Sequence, residues 1–191
     1  NYSKIIHIYY GQFVSTIRDM NDKIISRHYE PFPSLSIEIP NIDNVNIYDC
    51  LDHFISPEIL DGDNKYYCDK QKKYITSKKI IEIWNSPKIL IIHLKRFINT
   101  KDKSYKLDKS ISFPIDDLNL VKYSTGYNKY NSIYRLYAIC NHSGNLNSGH
   151  YYAYCRNNEN WYQYNDNKVS SISKSSLVSK NAYCLFYEKI K

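Results

Sequence analysis

No run in this 191-residue sequence comes near the ~20 consecutive apolar residues that a membrane-spanning helix requires, so no membrane partner is expected. A secretory leader is missing, and the chain opens on Asn1 rather than Met, so it is expected to be a piece of something longer. No internal repeat, low-complexity linker or clear domain boundary interrupts it. A long basic run is lacking too. The 26 Lys and Arg outnumber the 19 Asp and Glu to give a net charge of +7. These cations are scattered, however, with Lys pairs at 72–73 and 78–79. Phosphate-backbone binding rests on a concentrated positive surface, so nucleic acid is not expected as a partner. The five cysteines, Cys50, Cys68, Cys140, Cys155 and Cys184, are odd in number and do not have disulfide-framework spacing. The expectation is a reduced, intracellular chain, cytoplasmic or nuclear, with mostly buried thiols.

Plentiful aromatics with an ordinary charged fraction exclude wholesale disorder. Residues 2–18 read as extended, with Gly11 as an interruption. Residues 19–23 read as a turn, and 24–39 as a strand pair broken by Pro31 and Pro33. The whole suggests a long, exposed antiparallel hairpin with a polar tip. Asn46 is placed to cap a helix near 46–56, because Ile47, Leu51, Phe54 and Ile55 recur at helical spacing. A second hairpin is expected from 66–68 and 73–76. The run Ile89-Leu90-Ile91-Ile92 predicts a central strand buried on both faces. Residues 99–110 read as a polar, lysine-rich loop, and Phe113-Pro114 as the end of a short strand.

From Tyr134 the pattern is a tight meander. Strands are expected at 135–140, 150–156, 161–164 and 182–188, with turns at 157–160 and 165–167 and a loop at 141–149. Ser173 is placed to cap one helical turn. The fold class is α+β with antiparallel β predominant.

The chemistry concentrates at 142–166. His150 follows Gly149 where a loop becomes a strand, and Asn165 and Asp166 come fifteen and sixteen residues later. With a four-residue turn at 157–160, Arg156 pairs Trp161, and His150, Tyr152, Asn165 and Asn167 share one face. Asn165 is then a diagonal neighbour of His150 and Asp166 points away. A five-residue turn would reverse the parity and bring Asp166 to the histidine instead. A histidine oriented by an amide or carboxylate is the base half of a cysteine-nucleophile site. The expected arrangement has the Asn165 carbonyl oxygen accepting the Nδ1–H of His150 and leaves Nε2 to take a thiol proton.

The segments His142-Ser143-Gly144, Ser148-Gly149-His150-Tyr151-Tyr152-Ala153-Tyr154, Trp161-Tyr162-Gln163-Tyr164-Asn165-Asp166-Asn167-Lys168-Val169 and Ala182-Tyr183-Cys184-Leu185-Phe186-Tyr187 closely resemble the histidine box of ubiquitin-specific proteases. Tyr66-Tyr67-Cys68-Asp69-Lys70, Ile91-Ile92-His93-Leu94-Lys95-Arg96-Phe97, Phe113-Pro114 and Gly11-Gln12-Phe13-Val14-Ser15-Thr16-Ile17-Arg18 resemble the same family in its usual order. The resemblance implies a papain-like thiol hydrolase that cleaves the isopeptide bond after the C-terminal glycine of ubiquitin. Fingers would lie at about 1–85 and the palm at about 86–191, with the thumb subdomain absent. By position, His150 matches the general base and Asn165 the residue that orients it, with Asp166 in support. His142 and Gly144 match the loop flanking the ubiquitin tail, and Gly149 and Tyr151 match residues beside the substrate's terminal glycines.

Two departures stand out. None of the five cysteines has the Asn-Thr-Cys, helix-opening setting of the family's nucleophile. The thumb and its cysteine are therefore expected upstream, and this chain alone should hydrolyse nothing. The alternative is a non-catalytic ubiquitin-binding module or pseudo-enzyme. The family's fingertip zinc positions, two Cys-x-x-Cys pairs, read Asp19-Met20-Asn21-Asp22 and Cys68-Asp69-Lys70-Gln71 here. That set is poor for a tetrahedral zinc, so no metal is expected, and the fingers should be held by sheet pairing alone around a mobile tip. His93, mid-strand, reads as a core or palm-face histidine.

Overall fold

The computed structural model describes residues 3–190. A short helix α1 (Lys4–Tyr9) leads into β1 (Gly11–Arg18), β2 (Ile24–Phe32) and β3 (Leu35–Ile37). Helix α2 (Ile47–Phe54) follows, then β4 (Glu58–Leu60), β5 (Tyr66–Cys68), β6 (Lys73–Ile75) and β7 (Ser77–Asn85). The rest is β8 (Ile89–Leu94), β9 (Phe97–Asn99), β10 (Ser104–Lys106), β11 (Leu118–Asn119), β12 (Ile133–Gly144), β13 (Gly149–Asn157), β14 (Asn160–Asn165), β15 (Lys168–Ile172) and β16 (Ala182–Lys189).

The strands β15-β14-β13-β12-β16-β8-β3 form one large sheet, with β11 paired to β12. A second sheet runs β2-β1-β7-β4, and β5–β6 and β9–β10 are separate hairpins. Among the described residues only β3 joins the large sheet in parallel, against β8. The fold is α+β and mostly antiparallel, as the sequence implies.

Helix α2 starts where Asn46 says it should. Its side chain accepts from the amides of Tyr48 (2.8 Å) and Asp49 (3.2 Å), and Asp49 accepts from the Asn46 amide (2.8 Å), a reciprocal capping box. Ile47, Cys50 and Leu51 point into one core with Leu35, Ile37, Leu90, Ile92, Leu94, Leu136, Leu185 and Tyr187. Thus β3 and α2, from the first half of the chain, build the core of the large sheet.

Several local expectations give way. Tyr2 lies outside the described residues, and 4–9 form α1 rather than strand. The β-branched and aromatic side chains there favour strands only when they have a sheet surface to pack on. None of α1 is buried, Ile5 and Ile6 are exposed, and local bonds such as Tyr10 N to Ile6 O (3.0 Å) decide the conformation. Strand β8 buries Leu90, Ile92 and Leu94, while Ile89, Ile91 and His93 stay half-buried. Among the described residues the core covers one face of the large sheet, so the strand alternates. The 99–110 loop contains β10, which pairs back onto β9, and β12 continues past Cys140 to Gly144. Strands β7 and β15 were not foreseen. Ser173 heads the helical turn at 174–176 as expected but caps no backbone amide; its hydroxyl meets those of Ser175 and Ser176. The β1–β2 hairpin and its 19–23 turn form as expected, but side chains hold the tip as well. Asp22 pairs with Lys78 on β7 (2.9 Å), and Arg18 donates to Asp22 O (2.9 Å).

Arg96 is buried at the join between β8 and β9. Its Nε donates to Ala182 O (2.7 Å), and Nη1 donates to Leu107 O (3.0 Å) and Lys109 O (2.7 Å). One guanidinium thereby ties the flank of the β9–β10 hairpin to the start of β16. Burial pushes its pKa down to about 10, which leaves it charged at neutral pH.

Candidate active site

Strands β13 and β14 pair Arg156 with Trp161 and Ala153 with Tyr164. This is the register that places Asn165 diagonally from His150. Asn157 pairs with Asn160, so the turn tightens to two residues, and Asn158 takes the positive φ (54°) that such a turn demands. Trp161, on the same strand face as Asn165, is buried and anchors the ribbon.

At the open end of this ribbon, His150 Nε2 lies 2.6 Å from Asn165 Oδ1. An amide oxygen only accepts, so Nε2 carries the hydrogen and the lone pair of the neutral ring sits on Nδ1. This reverses the expected assignment: Nδ1, not Nε2, is the basic atom. Asp166 is also corrected. It occupies the β14–β15 turn with a positive φ (51°), which breaks strand alternation and turns its carboxylate back to 3.8 Å from His150 Nε2. Parity gives Asn165 to the histidine and the turn adds Asp166. With 77% of its side chain exposed, Asp166 is a screened partner beside the direct hydrogen bond from the ring to Asn165.

A second group of residues backs this pair. Gly149 lies against the His142 ring: a Cβ there would overlap Nε2 and stand 2.7 Å from Ser143 O. Glycine is thus required by close approach. The His142 ring is buried between Phe97 (5.4 Å between centroids) and Tyr151 (4.7 Å). Burial, and then the nearby Lys106 charge, lower its pKa, so it stays neutral. Tyr151 faces solvent with 54% of its surface. Gly144 closes the β12–β13 hairpin opposite Gly149 in a backbone conformation (φ 103°) that favours glycine. The structure therefore brings His150, Asn165 and Asp166 together. Beside them it stacks His142, Gly149 and Tyr151, with Gly144 at the hairpin end.

The sequence reading missed Lys106 and Asn181. Lys106 Nζ donates to His142 O (2.6 Å) and Gly144 O (3.3 Å), and Asn181 Nδ2 donates to the hydroxyl of Tyr152 (3.0 Å), which shares His150's face of β13. Neither residue carries a local pattern that singles it out. An open groove of about 670 Å³ runs past Ser143 and Gly144, lined also by Tyr105, Lys106, Leu146 and Lys180.

No thiol stands ready for the histidine among the described residues. Cys50 and Cys68 are buried. Cys140, Cys155 and Cys184 lie, by register, on the sheet face opposite His150. Burial raises the pKa of Cys50 and of Cys184 to about 11, and that of Cys140 and Cys155 upward, the wrong direction for a nucleophile. The fingertip residues do not fit a zinc ion either. Lys78 occupies the Asp22 carboxylate, and Asp19 Oδ1 accepts from the amides of Asn21 (2.9 Å) and Lys23 (3.0 Å).

The family model described as ubiquitin carboxyl-terminal hydrolase matches residues 1–187. Ubiquitin carboxyl-terminal hydrolase 2 of Gallus gallus is 36% identical over 190 residues, 97% of this chain and 53% of that protein. Ubiquitin carboxyl-terminal hydrolase Usp2 of Drosophila melanogaster is 39% identical over 191 residues, 98% of this chain and 20% of that protein. Among solved structures, the SAGA Ubp8/Sgf11/Sus1/Sgf73 deubiquitinating module bound to ubiquitin aldehyde superposes with a TM-score of 0.85 at 32% identity. That match covers 98% of this chain and 42% of the other. The chain thus spans about half or less of the relatives it matches. With the histidine ribbon, the sheet order and the family match in agreement, the chain belongs to the ubiquitin carboxyl-terminal hydrolase family, in its ubiquitin-specific protease branch.

Proposed function

We propose that these residues are the fingers (within about 1–85) and palm (within about 86–191) of a thiol-dependent deubiquitinase, with the palm taking β3 and α2 from the first part. The observation that carries the reading is the 2.6 Å contact between His150 Nε2 and Asn165 Oδ1. It fixes the ring tautomer and leaves the basic lone pair on Nδ1. In the reaction, a cysteine thiol attacks the carbonyl carbon of the isopeptide bond after the last glycine of ubiquitin. His150 Nδ1 takes the S–H proton, and the imidazolium then gives it to the departing lysine amine. A water then releases ubiquitin from the thioester by the same base. Asn165 holds the ring through both steps without adding charge, with the Asp166 carboxylate 3.8 Å from the same nitrogen. The thiol must come from polypeptide beyond these residues, since none of the five here is placed or poised for it.

Ubiquitin is the partner this reading implies. The solved relative bound to ubiquitin aldehyde and the open groove beside Gly144 support it. In that pose Tyr151 and the glycine backbones of Gly144 and Gly149 border the tail, while buried His142 supports Gly149 from beneath.

The test uses the full-length gene product. Replacing His150 with Ala should lower hydrolysis of a fluorogenic ubiquitin amide by roughly 10²–10⁴-fold, the range for losing a general base. Unchanged turnover would overturn the assignment. The 191-residue chain alone should show no turnover. If the full-length product binds ubiquitin but forms no adduct with a C-terminally electrophilic ubiquitin, the non-catalytic binding module is the correct reading.

A further inference from the structure

Strand β16 begins only opposite Asn141, so the end of β12 runs on past it. The last pair between them is Asn141 with Ala182. Past it, residues 142–144 continue beside β13 on one edge, and among the described residues no strand lies on the other. The His142 amide still reaches Asn181 O (2.8 Å). The carbonyls of His142 and Gly144, two residues apart on one strand, point to the same empty side. Backbone acceptors at a part-buried sheet edge need partners. Both are taken by one ammonium: Lys106 Nζ donates to His142 O at 2.6 Å and to Gly144 O at 3.3 Å.

The lysine is held on a firm base. Next to it, the Leu107 amide donates to Arg96 O (2.7 Å), and the Arg96 guanidinium holds Leu107 O, Lys109 O and Ala182 O. On the far side, the strand end it grips leads directly to the histidine. Ser143 lies opposite His150, its hydroxyl donates to His150 O (3.3 Å), and Gly149 rests on the His142 ring. The loop beyond is closed on itself, since Asn145 Oδ1 accepts from the amides of Asn147 (2.9 Å) and Ser148 (3.0 Å).

We infer that Lys106 is a positioning residue for His150: its ammonium substitutes for a missing strand, holds the end of β12, and so sets where the imidazole meets Asn165. The inference rests on the role proposed for His150, but its test needs no turnover. A refuted base assignment and a refuted lysine clamp would therefore be told apart.

The experiment is nitrogen NMR on the labelled 191-residue chain. Wild type should show His150 as the Nε2–H tautomer. Lys106→Met keeps the stem and removes the donors. It should mix the His150 tautomers and speed amide exchange across 143–149 by about tenfold. Lys106→Arg should restore both to within about twofold, and Lys101→Met, at the exposed tip of the same hairpin, should change neither. A Lys106→Met chain with the wild-type tautomer and wild-type exchange would overturn the inference, as would failure of Lys106→Arg to restore them. If Lys106→Met does not fold, wild type decides. Slowly exchanging Lys106 ammonium protons with cross-peaks to the Gly144 α-hydrogens support the clamp, and fast exchange without those cross-peaks refutes it.

Discussion

A single methyl group at position 149 tests how closely the site is built. Gly149→Ala places a Cβ where His142 Nε2 already lies and 2.7 Å from Ser143 O. Neither neighbour yields easily. The His142 ring is 4% exposed and packed against Phe97 and Tyr151, and Ser143 is paired across the strand with His150. Overpacking of a tight site costs about 1–3 kcal/mol, and a backbone oxygen among the clashing atoms puts this case at the upper end. For a chain of this size about 3 kcal/mol corresponds to a fall in Tm of roughly 6–12 °C. The assay is thermal unfolding followed by circular dichroism, repeated in a His142→Ala background where the ring is gone. There Gly149→Ala should cost at least ~1 kcal/mol less than in wild type, a coupling that double-variant cycles resolve. A Tm within about 1 °C of wild type, or identical costs in both backgrounds, would show that the ring does not support Gly149.

Three further outcomes follow from named contacts. Arg96→Met leaves the carbonyls of Ala182, Leu107 and Lys109 without their donor, and should destabilise the chain by about 3 kcal/mol or more in urea unfolding. The Lys78 hydrogen bond and charge hold the Asp22 carboxyl below its ordinary pKa. The contribution of that pair is therefore present above the unfolded value of about 3.9 and is lost as pH falls through the folded one. In carboxyl NMR titrations, Lys78→Met should move the Asp22 midpoint upward, and 1 M salt should shrink the difference. Cys50 and Cys184, pushed up to about 11 by burial, should react with an aromatic disulfide reagent at pH 7.5 far more slowly than free glutathione; equal rates would contradict their placement.

The parts of the molecule written in short-range pattern were legible in the sequence. Asn46 with Asp49 three residues on specified the start of α2, and the 157–160 turn specified the register that delivers Asn165 to His150. What the pattern could not carry was set by distant partners. Whether Ile5 and Ile6 become helix or strand depends on whether a sheet offers them a surface. Asp166 obeys strand parity until one left-handed residue ends it, and no alternation count shows where that happens. The ring orientation of His150 was misassigned because an amide can accept from either nitrogen, and only the placement of β13 against β14 chooses. Lys106 looked like one more cation in a solvated loop. Its role comes from β16 starting only at Ala182, seventy-six residues further along, and leaving two carbonyls of β12 to be satisfied.

The central claim is that Asn165 fixes a neutral imidazole with its hydrogen on Nε2 and its lone pair on Nδ1. Long-range nitrogen–proton NMR of His150 at a pH where the ring is neutral reads this directly. The account predicts an Nε2–H ring in wild type and a mixture of tautomers in Asn165→Ala. An Nδ1–H ring in wild type, or the same spectrum in both proteins, would contradict it.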